Sequence, residues 1–201
     1  MAIELVLFDF GGVLAEEGFL AGLATIARKN KMKPDVVTEQ VKDIIFNNGF
    51  IAGRCDEAAF WDDVRSTTGV SGSDAELRAE ILDNFILRPW MFDIVERLKS
   101  AGVRVAILSD QVNWLDELNG KFHFFDKFER VFNSFYHGTH KGEERFFQLA
   151  LEELQLEPGK ILFVDDAVRN IAVATSLGFR SILYTDKESF LEQFGKFFSW
   201  D

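Results

Sequence analysis

Ile3-Glu4-Leu5-Val6-Leu7-Phe8-Asp9-Phe10-Gly11-Gly12 is an apolar run rich in β-formers that ends on an aspartate and then breaks on two glycines. So short and continuous a run predicts a strand buried on both faces, as inside a parallel sheet. Outward from it the 201-residue chain divides in two. From about 16 to 87 no comparable strand occurs, and apolar residues recur at helical spacing near 19–29, 34–46, 56–67 and 74–85. Pro34 stands at a first helical position, and Ser71-Gly72-Ser73-Asp74 reads as a loop and N-cap. After Pro89 the pattern alternates: a helix over 90–100, a strand over 103–108, a helix from 112, a short strand near 130–132, a helix over 143–154, a strand over 161–164, a helix over 167–177 and a strand over 181–184. Alternation of this kind implies a parallel sheet. The expected architecture is α/β: a doubly wound parallel sheet built from residues 1–15 and 88–201, with a four-helix insert over 16–87.

Composition narrows the function classes. With 33 acidic against 22 basic residues the formal net charge is −11, and the lysines and arginines form no stripe. Nucleic acid and anionic membrane are excluded as expected partners. Cys55 is the single cysteine, so neither an internal disulfide nor a thiolate cluster can form. No apolar run approaches the roughly 20 residues that span a bilayer, and no cleavable signal is read before the first strand. A cytoplasmic location is the expectation. The 22 phenylalanines, dense at 122–128 and 194–198, are expected to fill the core or cover an apolar surface.

In open parallel sheets ligands bind beyond the carboxyl ends of the strands. The polar residues that follow the apolar runs are Asp9, Ser109 and the Asp165-Asp166 pair, and Lys141 arrives at the start of a helix. Taken singly, Ser109, Asp165 and Asp166 read as helix caps, Asp9 as a turn residue and Lys141 as a solvated lysine. Their joint placement at successive strand ends favours a site. Clustered carboxylates raise one another's pKa unless a cation neutralises them, and oxygen ligands suit Mg²⁺. A serine hydroxyl and a lysine ammonium beside such an ion can hold phosphate oxygens, an inventory that fits phosphoryl transfer.

At this point four motifs together resemble the haloacid dehalogenase (HAD) superfamily over nearly the whole chain. Phe8-Asp9-Phe10-Gly11-Gly12-Val13-Leu14 is similar to its first motif, which implies Asp9 as nucleophile. Leu108-Ser109-Asp110 resembles the second, which implies phosphate binding by Ser109, with Asp110 beside it. His140-Lys141-Gly142 resembles the third, with Lys141 countering nucleophile and phosphate charge. Phe163-Val164-Asp165-Asp166 with Asn170 resembles the fourth, which implies metal ligation by Asp9, Asp165, Asp166 and the main-chain carbonyl of Gly11. The resemblance implies a Rossmann-like core, with residues 16–87 as a small helical cap that selects substrate. It also implies a Mg²⁺-dependent phosphohydrolase acting on a small phosphorylated metabolite. The chain departs from the pattern at Gly11, where phosphatases of the family usually carry an acid/base aspartate, at Gly142, where proline is common, and at Asp110, where asparagine is common. Glu16 and Glu17 are candidate substitutes for the missing acid. Glycine at position 11 looks most like the α-D-glucose-1-phosphate phosphatase relatives, and an anomeric oxygen leaves more readily than an alkyl one. The alternatives are a phosphate-binding module without turnover and a carbon–halogen hydrolase, which would need no metal. Arg54, Trp61, Arg65 and Asn47-Asn48-Gly49 are the candidate cap contacts. Of the three histidines only His140 lies near the chemistry, and the aromatic stretch Phe197-Phe198-Ser199-Trp200 is expected to pack on the core or a partner.

Overall fold

β1 (Leu5–Phe8) occupies the centre of a five-stranded, all-parallel sheet in the computed structural model, which describes residues 2–198. The order is β3-β2-β1-β4-β5, with β2 at Arg104–Ser109, β3 at Arg130–Asn133, β4 at Ile161–Asp165 and β5 at Arg180–Leu183. Alternation along the strands sends Leu5, Leu7, Leu108 and Phe163 into one apolar cluster and Val6, Phe8, Ile107 and Val164 into another. Both faces are therefore covered, which is why these strands read as unbroken apolar runs.

Four helices follow β1: α1 (Gly18–Lys29), α2 (Pro34–Asn47), α3 (Glu57–Thr68) and α4 (Asp74–Leu82). The connections between strands then carry α5 (Pro89–Ser100), α6 (Trp114–Phe122), α7 (Ser134–His137), α8 (Glu144–Leu154) and α9 (Val168–Ser176), and α10 (Lys187–Phe194) comes last. Phe50, Phe60, Trp61 and Trp114 stack between the first four helices and α6 in the cluster that also holds Val6 and Phe8. One apolar core thus runs from the sheet into the insert, and each buried aromatic adds about 1.5–3 kcal/mol of transfer energy. Among the described residues, no helix is long and apolar enough to cross a membrane.

Three details differ from the sequence reading. The fourth helix stops at Leu82 instead of reaching residue 85; Phe85 turns back onto Phe10, with ring centroids 5.7 Å apart, into room left by Gly18. Neither α7 nor α10 was expected. Phe198 stacks on Phe194 at 4.7 Å, while Ser199 and Trp200 of the aromatic stretch lie outside the described residues.

The chain leaves the sheet and returns to it at one place. Ala15 bridges both Gly11 and Leu87. Arg88, next along, donates to the carbonyls of Gly12 and Val13 and to both carboxylate oxygens of Glu16, at 3.0 and 2.8 Å, while its guanidinium lies 4.6 Å above the Tyr184 ring.

Candidate active site

Parallel register decides which side chains meet. Phe8 is paired with Ile107 on one side and Val164 on the other, so Asp9, Ser109 and Asp165 emerge at the same edge. Asp9 Oδ1 accepts hydrogen bonds from its neighbour Phe10 N–H at 2.6 Å and from Ser109 Oγ at 3.1 Å. Its other oxygen, Oδ2, lies 2.6 Å from Lys141 Nζ, which is also 2.6 Å from Asp165 Oδ2. Asp165 is held from behind by Ala167 N–H at 2.8 Å and by the amide of Asn170 at 3.1 and 3.2 Å. Asp110, just past its strand end, accepts Lys141 N–H at 2.8 Å, so its charge fixes the lysine's main chain. Burial pushes Lys141 down, but Asp165, Asp9 and Asp110 outweigh it and raise the ammonium above its ordinary range. Burial raises Asp9 well above the usual carboxylate range, Lys141 opposes the rise, and Asp165 and Asp166 add to it.

Asp9, Asp165 and Asp166 each bring a carboxylate oxygen within 4.8 Å of the others. One lysine among three crowded carboxylates leaves negative charge uncompensated, and this oxygen-only donor set fits a hard divalent cation. Gly12, at φ +83°, makes the approach possible, because a Cβ there would stand 2.1 Å from Asp166 Oδ2. Asp9 and Asp166 line a cavity of about 330 Å³, with Asp165 buried behind them, and residues of α1 and α2 line it too.

Residues 3–178 match the family model of haloacid dehalogenase-like hydrolases. This chain belongs to that family. The HAD-like hydrolase is similar in structure to a HAD family enzyme of Bacteroides thetaiotaomicron crystallised with magnesium and inorganic phosphate (TM-score 0.72, 25% identity, 92% of this chain and 95% of that one). It is also similar to a HAD-like family hydrolase of Porphyromonas gingivalis (TM-score 0.80, 21% identity, all of both chains). Among curated proteins it is 32% identical over 96 residues to mouse acyl-CoA dehydrogenase family member 10; those residues are 47% of this chain and 9% of that protein, so the chain spans a small part of its length.

The cavity of the HAD-like hydrolase holds residues that sequence reasoning missed. Lys42, one turn before Phe46 on α2, and Gln111, behind the second strand, both line it. Neither follows an apolar run, and only the helical phase of α2 could have pointed to Lys42. The candidate cap contacts lie elsewhere. Arg54 donates to Gly138 O at 3.0 Å, Trp61 is wholly buried against Trp114, Arg65 pairs with Asp62 and Asp74, and Asn48 bonds Asp63. His140 borders the site through an edge-on contact with Phe46 at 5.2 Å. The two acidic neighbours part company: Glu16 is taken by Arg88, whereas Glu17 faces the cavity.

Proposed function

We propose that this HAD-like hydrolase is a Mg²⁺-dependent phosphohydrolase of small phosphorylated metabolites that works through an aspartyl-phosphate on Asp9. The observation that carries the reading is Lys141, which lines the cavity with its Nζ 2.6 Å from both Asp9 Oδ2 and Asp165 Oδ2. Asp9 presents an oxygen to the phosphorus. Lys141 keeps its proton and offsets the charge of nucleophile and phosphoryl group, Ser109, whose Oγ donates to Asp9 Oδ1, would turn that hydroxyl to a phosphoryl oxygen, and Asp110 anchors the lysine. Asp9, Asp165, Asp166 and the Gly11 carbonyl would hold Mg²⁺, which when bound would supply Lewis-acid charge to the phosphoryl group. The Bacteroides relative crystallised with magnesium and phosphate supports this choice of ion and ligand. Residues 16–87 serve in this reading as the cap that walls the cavity. The first motif, with glycine at position 11, suggests a sugar 1-phosphate as the narrower substrate, and Lys42, Gln111 and Asn170 line the cavity as groups able to bond its hydroxyls.

Phosphate release from a panel of esters, measured with Mg²⁺ and with EDTA beside Asp9→Asn, tests the reading. Turnover is expected only with Mg²⁺ and only with Asp9 intact. Silence across the panel with phosphate binding retained would identify a binding module instead, and equal rates on glucose 1-phosphate and glucose 6-phosphate would remove the sugar 1-phosphate.

A further inference from the structure

Six side chains lining the cavity exchange protons: Asp9, Glu17, Lys42, Asp110, Lys141 and Asp166. When a phosphate ester is cleaved, the P–O bond electrons pass to the departing oxygen, and an alkoxide leaves slowly unless a proton reaches it in the same step. Most of the six are committed. Asp9 is the proposed nucleophile and Asp166 a proposed metal ligand. Lys141 is locked between two carboxylates, and Asp110 spends Oδ1 on Lys141 N–H. Lys42 sits at the rim, 46% exposed beside Glu39.

Glu17 is different. One of its oxygens, Oε2, caps α1 by accepting Leu20 N–H at 2.7 Å. The other, Oε1, points toward Gly11 and would lie 4.0 Å from a Cβ built there. That Cβ would meet nothing closer than Gln111 Nε2 and Phe85 Cε1, each at 3.4 Å, and Gly11 does not have the left-handed backbone that Gly12 has. Glycine at position 11 therefore answers to no backbone requirement. It leaves position 11 without a side chain of its own, and the Glu17 carboxyl from the start of α1 reaches toward that position. Burial pushes Glu17 up to about 7, so near neutral pH it carries a proton that it can release.

We propose that Glu17 is a catalytic residue, the proton donor to the leaving oxygen, in the place that a side chain at position 11 would otherwise occupy. The step rests on the phosphohydrolase reading. As the Asp9 Oδ–P bond forms and the ester P–O bond breaks, the leaving oxygen takes the proton from Glu17 Oε1. The resulting carboxylate then takes a proton from the water whose oxygen attacks the aspartyl-phosphate. Inorganic phosphate departs, and Asp9 and protonated Glu17 are both restored.

The test is kcat/KM along a series of esters from p-nitrophenyl phosphate, whose leaving group needs no proton, to simple alkyl phosphates. Wild type is compared with Glu17→Gln, Asp110→Asn and the double variant Gly11→Asp/Glu17→Gln. Glutamine keeps an oxygen for the Leu20 N–H, so α1 stays capped. Expected for Glu17→Gln is a fall of about 10²- to 10⁴-fold on alkyl phosphates with p-nitrophenyl phosphate changed only a few-fold, and recovery of alkyl turnover in the double variant. A uniform fall along the series, no fall at all, or the selective loss appearing in Asp110→Asn instead would overturn the assignment and leave the phosphohydrolase intact. No release by wild type from any ester, p-nitrophenyl phosphate included, would overturn both.

Discussion

Lys141 is 1% exposed, and its charge is matched on two sides by carboxylates that are themselves buried. Replacing it with methionine keeps the volume and deletes the cation, so Asp9 and Asp165 face each other unpaired. Such a loss typically costs about 3–5 kcal/mol, and the urea midpoint of Lys141→Met should fall accordingly; a shift under about 1 kcal/mol would mean that the carboxylates are compensated from elsewhere. At this scale the sequence was readable wherever a polar residue directly follows an apolar strand. Asp9, Ser109 and Asp165 stand out because parallel register carries each to the same edge. It was not readable where a distant side chain decides. Whether Glu16 or Glu17 turns inward depends on Arg88, 72 residues further on, which takes both oxygens of Glu16 and leaves Glu17 to the cavity. Asp110 is a similar case: its direction is set by the main-chain N–H of Lys141 in another loop.

The turn between β1 and α1 gathers several demands into a few residues. Gly12 is left-handed, its carbonyl takes Arg88, and the space where its Cβ would go belongs to Asp166. Gly12→Ala should therefore cost about 1–2 kcal/mol for the backbone alone and should also drive Asp166 out of the carboxylate cluster. Urea unfolding reads the first effect and Mg²⁺ titration the second; unchanged Mg²⁺ affinity would show that Asp166 is not needed for the ion. Most elements were legible from their periodicity, because strands with two buried faces and helices with one leave different patterns. Where the reading failed, local chemistry had outweighed the period. α4 ends at Leu82, and Phe85 turns its ring onto Phe10 in a tilted contact instead of continuing the helix. α10 does carry a local signal: Asp186 caps it by accepting Ser189 N–H at 2.8 Å, and Phe190 and Phe194 follow four residues apart on its buried face.

Across the whole molecule the net charge of −11 makes the carboxylate edge one more source of self-repulsion. A divalent ion bound there should raise thermal stability by mass action, about 2.7 kcal/mol at a hundred times its Kd. We expect the melting temperature to climb with Mg²⁺ well beyond the effect of NaCl at equal ionic strength, and Asp166→Asn to flatten the climb; equal responses to the two salts would reduce the effect to screening. Two chain-wide features could be read before any coordinates, the parallel sheet and the helical insert, since both follow from long stretches of consistent pattern. The sharing of one core between them could not, because it depends on Phe50, Phe60, Trp61 and Trp114 meeting across the insert and α6. The place of β1 in the sheet has its own consequence for synthesis. It leaves the ribosome before both of its neighbours, β2 and β4, and β4 begins only at Ile161. At about 5–20 residues per second, Leu5–Phe8 waits on the order of ten seconds without a partner on that side, while the helices of the insert emerge in the interval. The nascent chain thus holds its most apolar strand open longest, and that interval is when a chaperone would have most to shield.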